Sequence, residues 1–202
     1  MIKVISKYYD EPGVMAEQVK QAEFWVPRDL LRQSSKFFQA ATRPEWDALR
    51  DDKHTVTIDF KDHELFEAYV HWLYEGTIPC PCSDLKEGKD HHFLAKLYVM
   101  AEELMDVKLK NAILDIFAAL TTEVYPGAIV IKIIYEGTSA GSPARRLLAD
   151  FCAHVANNNW LDDFHQYPHE ALVDALKAMA GLRKKPNSRP WNHNRYYHEQ
   201  QE

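Results

Sequence analysis

Apolar and polar residues alternate at three places in the first third of the chain, as they do along half-buried strands. The stretch IKVIS (2–6) carries β-branched residues in near alternation, and the apolar run AEFWV (22–26) follows the turn-like cluster DEPG (10–13). HTVTIDF (54–60) alternates most cleanly, with its aliphatic residues on one face and its threonines on the other. The pattern therefore predicts three strands.

A period of three to four residues, which is typical of helices, covers much of the remaining chain. Pro27 suits the first turn of a helix, and apolar residues recur at helical spacing across residues 30–41. Asp62 is placed as the N-cap of another helix, and Gly76 is placed to end it. We expect a short helical hairpin before the third strand and one longer helix after it.

The next apolar stripes predict two amphipathic helices, at about 93–105 and 109–120, the second behind a cap at Asp106. The segment YPGAIVIKIIYEGT (125–138) is rich in β-branched residues, so local preference alone predicts a strand. Its apolar spacing fits a helix as well, and both alternatives remain open.

Two more helices are predicted towards the end of the chain. GSPARRLLADFCAHVA (141–156) has Ser142 as a possible cap and Pro143 in the first turn. The last helix covers about 168–180 and is predicted to end at Gly181. Strands followed by a run of helices are typical of an α+β domain with a small sheet under a helical cluster.

Composition is that of an ordinary globular protein, with 202 residues, 46% hydrophobic and 27% charged. No run approaches the roughly 18 apolar residues that a membrane span needs, and the first residues are too polar for a secretory signal. Three cysteines are an odd number, and a single residue separates Cys80 from Cys82, which makes a mutual disulfide awkward. We expect an intracellular protein, cytoplasmic or nuclear, without a membrane partner.

The formal net charge of −6 is unevenly distributed along the chain. From Arg183 onward five basic residues stand against two acidic ones, so the body of the protein carries the negative charge. An acidic body argues against nucleic acid as a partner, because neutralising phosphates requires a basic face. Residues 183–202 have no apolar period and are predicted to form a disordered tail that is basic and aromatic.

Cys80, Cys82, His91 and His92 supply ligand types that zinc accepts. Structural zinc sites usually separate paired cysteines by two to four residues, whereas here only one lies between them. The two adjacent histidines would also point to different sides of a helix. We expect no metal site, and the alternative of another class is a small metal-binding protein that uses Cys80, Cys82 and His91.

Catalytic patterns are missing from the sequence. Ser34 and Ser35 lack the flanking glycines of a strained nucleophile turn, and the seven glycines form no phosphate-binding loop. The sequence therefore predicts a protein that is not an enzyme and that holds no cofactor.

Aromatic side chains are more abundant between residues 37 and 74 than one small helical hairpin would ordinarily hide. An excess of tryptophan and tyrosine near the ends of elements is typical of protein-binding surfaces. The residues concerned are Phe37, Phe38, Trp46, Trp72 and Tyr74.

Three segments, read in order, resemble the BTB/POZ domain in its fungal form. They are FWVPRDLLRQSSKFFQAA (24–41), VTIDFKDHELFEAYVHWLYEGTI (56–78) and LAKLYVMAEELMDVKLKNAILDIF (94–117). The D-L-L helix, the paired phenylalanines, the W-L-Y-x-G helix end and the L-K-N helix start all occur in the family's order. IYEGTSAGSPARRLLADF (134–151) also resembles the helical extension that follows many fungal members.

The resemblance implies a small mixed sheet capped by helical hairpins over residues 1–121, and an all-helical extension over 122–182. It also implies a protein-interaction function, either self-association as a homodimer or docking of a protein partner. In many members the partner is a cullin scaffold, for which the domain is the substrate adaptor of a ubiquitin ligase. The aromatic surface and the resemblance together give the expected partner-binding residues Asp29, Phe37, Phe38, Trp46, Asp47, Ala48, Tyr74, Leu97 and Leu104.

The chain departs from the family's pattern in its first strand and helix and in its cullin motif. The amino end is short for the strand that is exchanged in family dimers. Pro27 replaces the histidine that usually precedes the first helix, although Asp29 is retained. Cullin-binding members resemble one another in an apolar-x-acid motif, which here would place Trp46 on the apolar position and Ala48 on the acidic one. The motif is therefore broken, and losing a charge-assisted hydrogen bond at an interface costs about 1.5–3 kcal/mol.

Overall fold

The computed structural model of the chain describes residues 1–9, 19–47, 52, 54–59, 62–79, 89–120, 126–155 and 164–183. Within these ranges the chain has α+β architecture, as the sequence predicts, with a short 3₁₀ turn at Phe164–Gln166. The elements are β1 (Ile2–Tyr9), β2 (Val19–Val26), α1 (Arg28–Ser34), α2 (Lys36–Ala41), α3 (Pro44–Asp47), β3 (Thr55–Ile58), α4 (His63–Glu75), α5 (Lys89–Glu103), α6 (Val107–Leu120), α7 (Ala128–Gly137), α8 (Pro143–Val155) and α9 (His169–Leu182).

The three predicted strands form one small mixed sheet in the order β2–β1–β3. Strand β1 is antiparallel to β2 and parallel to β3, so that Val4 lies opposite both Phe24 and Val56. The side chains of Ile2 and Val4 are wholly buried, because alternate residues of β1 face the helices. The predicted turn at 10–13 lies outside the described residues.

The caps predicted around helix α4 are confirmed. The side chain of Asp62 accepts a hydrogen bond from the backbone N–H of Glu64 at 3.2 Å, at the end where a carboxylate complements the helix dipole. Gly76 ends the helix with a φ of 67°, a left-handed conformation that glycine adopts without steric cost. Between these caps, Phe66 and Tyr69 are wholly buried.

Helix α7 resolves the alternatives that the sequence leaves open for residues 125–138. Local preference favours a strand there, but the segment is helical from Ala128 to Gly137. Val130, Ile131 and Ile134 are buried on one side of this helix, so tertiary packing overrides the preference of β-branched residues for strands. Helix α7 packs against α5, which itself packs against α4 and α6.

Helices α8 and α9 complete the described fold. Helix α8 begins at Pro143, as predicted. The prediction that the last helix ends at Gly181 is wrong, because α9 continues to Leu182 and the N–H of Arg183 still bonds the carbonyl of Met179 at 3.1 Å. Of the predicted tail 183–202, all but Arg183 lies outside the described residues. Within the described ranges, no helix combines the length and apolar character that crossing a membrane requires.

The sequence gives no warning of Arg145, a charged residue that is buried between α7, α8 and α9. Its Nη1 donates to Glu170 at 2.6 Å, and its Nη2 donates to the backbone carbonyls of Tyr135, at 2.5 Å, and of Thr138. The guanidinium also lies 4.7 Å from the centre of the Tyr135 ring. These partners satisfy a charge that would otherwise be costly to bury, and they join the three helices.

Candidate protein-binding surface

A buried carboxylate organises the region where helices α1, α4 and α6 meet. Asp106 is fully inaccessible to solvent and accepts hydrogen bonds from the hydroxyl of Ser34, from the hydroxyl of Tyr69 at 3.3 Å and from the N–H of Leu109 at 3.0 Å. The last of these bonds caps α6, as the sequence predicts. Ser34, Tyr69 and Asp106 are called the Asp106 cluster below.

Burial and the neighbouring carboxylate govern the protonation of Tyr69. Removal from solvent, followed by the negative charge of Asp106, raises the pKa of the Tyr69 phenol far above its ordinary value. The phenol therefore keeps its proton at physiological pH, and its hydroxyl donates a hydrogen bond to the Asp106 carboxylate. This polar cluster is closed and satisfied, which makes it a rigid support.

The hairpin of α1 and α2 is fastened to the turn between α5 and α6 by Ser35. The Ser35 hydroxyl donates to the carbonyl of Leu104 at 2.6 Å and accepts from the N–H of Phe38 at 3.1 Å, which caps α2. The N–H of Phe37 bonds the same Leu104 carbonyl at 3.3 Å. Together with the Asp106 cluster, these bonds hold the α5–α6 turn against the hairpin.

Two large apolar side chains are exposed on this fastened turn. Met105 is 46% exposed, and Val107 is 54% exposed. Met105 also has a φ of 54°, an uncommon conformation for a residue other than glycine. The sequence places Met105 on the buried stripe of a helix that runs to residue 105, but α5 ends at Glu103, so the stripe does not continue to Met105. Met105 and Val107, with the half-buried Phe37, whose N–H bonds the carbonyl of Leu104 before them, are called the turn surface below.

Three of the expected partner-binding residues are core residues instead. Phe38, Leu97 and Leu104 are almost completely inaccessible to solvent, so they cannot contact a partner on the folded protein's surface. The ring of Phe38 lies 5.1 Å from that of Phe37 and 6.4 Å from that of Phe66, measured between ring centres. The aromatic pairing that singled out Phe38 in the sequence therefore fills the core.

Other expected partner-binding residues do reach the surface. Trp46 on α3 is 56% exposed and Tyr74 near the end of α4 is 54% exposed. Asp29 is exposed on α1. Asp47 is the last residue of α3, and Ala48 lies outside the described residues.

The residues of the metal hypothesis are divided between described and undescribed parts of the chain. Cys80 and Cys82 lie outside the described residues, so their geometry with His91 is not defined. His91 is buried near the start of α5, and its ring packs edge-to-face with that of Phe117 at 5.0 Å between centres. Among the described residues, no three histidine, cysteine or acidic side chains converge as metal ligands. Burial raises the pKa of the Cys152 thiol to about 11.

The turn surface has only a faint signal in the sequence. In LMDV (104–107), a cap residue follows two apolar residues, which marks a helix boundary but not the direction in which Met105 points.

A scan of the chain against protein-family models finds no match, and a search of curated proteins also finds none.

Proposed function

We propose that this chain is a protein-interaction module of the BTB/POZ type that binds a protein partner, or a second copy of itself, through the turn surface. The family motifs in the sequence and the order of strands and helices support the family assignment. The single observation that carries the binding role is the exposure of Met105 and Val107 on a turn that buried hydrogen bonds hold in place.

Rigid support matters because binding orders the groups that form an interface, and that ordering opposes association. The turn surface is connected by its backbone to Ser35, and the Asp106 cluster lies beneath it. A surface that is ordered before binding loses less conformational entropy when a partner arrives. Exposed methionine is also common on surfaces that accept partners, because its side chain adapts to their shape.

The experiment compares the full chain with the double variant Met105→Glu and Val107→Glu. Light scattering during size-exclusion chromatography, at tens of micromolar, measures self-association, and pull-down with quantitative mass spectrometry measures other partners. We expect the double variant to lose association at least about tenfold, since two charges would be buried at the interface.

Ile129→Glu is the matched control, because Ile129 is 61% exposed on α7, a helix that contributes no residue to the turn surface. We expect this variant to bind as the unchanged protein does. A chain that stays monomeric and captures the same proteins with and without the double substitution would exclude the turn surface as a docking site.

A second candidate is the cullin-dependent ubiquitin-ligase adaptor, favoured by the exposure of Trp46. This tryptophan occupies the apolar position of the broken motif and is accessible on α3. Restoring the acidic position with Ala48→Glu should strengthen binding to a cullin amino-terminal domain about tenfold, which is the effect of one charge-assisted hydrogen bond. Calorimetry that detects no binding by either form would dismiss the adaptor role.

A further inference from the structure

A polar hollow lies on the outer side of the hairpin formed by α1 and α2. Every side chain that lines it is charged or carries a carboxamide: Asp29, Arg32, Gln33, Gln39 and Arg43. The Nε2 of Gln39 donates to the backbone carbonyl of Arg32 at 2.7 Å, so the two helices are joined across the hollow. Such a lining suits a ligand that accepts hydrogen bonds and does not suit an apolar one.

The two arginines of the hollow make no ion pair with a described acidic side chain, whereas several other basic residues do. In the described part of the chain, Lys3 pairs with Glu23, Lys110 with Glu102 and Arg145 with Glu170, each at 2.6 Å. Neither Arg32 nor Arg43 makes an ion pair there, although Asp29 lines the same hollow. Two guanidinium groups against one carboxylate give the hollow a positive charge on a chain whose formal net charge is −6.

We infer that this hollow binds an acidic peptide segment of a partner protein, with Arg32 and Arg43 holding its carboxylates. A guanidinium group offers two parallel N–H donors that match the two oxygens of a carboxylate, and the carboxamides of Gln33 and Gln39 add further donors. Clusters of arginine are a recurrent means of recognising acidic motifs. The inference rests on the proposed function, because it names the chemistry of one segment that the module binds.

A short acidic peptide fits the hollow better than a nucleic acid does. A polyanion such as RNA would extend beyond the hollow over a protein surface that is negative overall, which repels it. Arg32 on α1 and Arg43, which lies between α2 and α3, line one hollow and match a few neighbouring carboxylates. The role of Asp29 is then to weaken the binding of any acidic segment and so to limit it to those that reach both arginines.

The test measures fluorescence anisotropy of the full chain with a labelled peptide in which glutamate alternates with serine. A peptide with glutamine in place of glutamate and a labelled oligoadenylate are the comparison probes. We expect the glutamate peptide to bind at least about tenfold more tightly than either one, and the double variant Arg32→Gln and Arg43→Gln to lose at least about tenfold of that affinity.

Two single variants make the result independent of folding defects. Arg146→Gln removes an exposed arginine from α8 and should leave the affinity unchanged. Asp29→Asn should tighten binding about two- to fivefold, because it removes a like charge beside the ligand. The inference is overturned if the chain does not bind the glutamate peptide, if the arginine double variant binds it as well, or if oligoadenylate binds equally tightly. The turn-surface experiment does not use this peptide, so either proposal can fail alone.

Discussion

The carboxylate of Asp106 accepts hydrogen bonds from donors on three different helices. Ser34 comes from α1, Tyr69 from α4 and the N–H of Leu109 from α6. A buried polar group that loses its partner bears the full cost of desolvation, whereas a satisfied one costs little. Because of this asymmetry, we expect a substitution in the Asp106 cluster to destabilise both the hairpin and the turn surface.

Asp106→Ala should lower the free energy of unfolding by about 2–4 kcal/mol, because it removes the cap of α6 and leaves the hydroxyls of Ser34 and Tyr69 without their acceptor. Asp106→Asn is the matched control, since asparagine is also a good N-cap and keeps one oxygen acceptor, so its effect should be smaller. Urea unfolding followed by circular dichroism measures both variants. Equal losses for alanine and asparagine would contradict the view that the acceptor oxygen kept by asparagine preserves part of the stability.

Among the elements, those with both a clear period and a local end signal follow the sequence closely. Helix α4 lies between Asp62 and Gly76 because each of these residues acts through its own backbone or side chain. Helix α7 lacks such a signal, and its helical form depends on contacts with α5 that only the folded chain supplies. At Gly181 the sequence signal is present but the helix continues to Leu182, because a glycine permits a helix to end but does not force it to.

The candidate site was less predictable than the helices that carry it. Hydrophobic periodicity identifies apolar side chains but cannot separate a buried one from an exposed one near a helix end. Phe38 and Leu104 were expected at an interface and are in the core, whereas Met105 was expected in a buried stripe and is exposed. Helix α5 ends at Glu103. The N–H of Leu104 still bonds the carbonyl of Met100, but Met105 has a φ of 54° and no longer follows the helical period.

At the scale of the molecule, the predicted domain 1–121 and the predicted extension 122–182 are in close contact through α5 and α7. The hydroxyl of Tyr98 on α5 also lies 3.3 Å from that of Ser142, just before α8. Gly137, at the end of α7, lies against Val99 so closely that a Cβ there would overlap both methyl groups of the valine. Valine is stiff at χ1 and cannot easily turn aside.

Gly137→Ala should therefore destabilise the chain by about 1–3 kcal/mol through overpacking, although alanine is the better helix former. Val99→Ala in the same chain removes the overlapping methyl groups, so the double variant should be more stable than the sum of the two single losses predicts. Chemical unfolding of the unchanged chain, the two single variants and the double variant measures this coupling.

The contact between the predicted domain and the predicted extension also predicts that they unfold together, so fluorescence and circular dichroism should give a single coincident transition. Additive losses would contradict the close approach of Gly137 to Val99, and two separate transitions would mean that the extension unfolds independently of the body on which it packs.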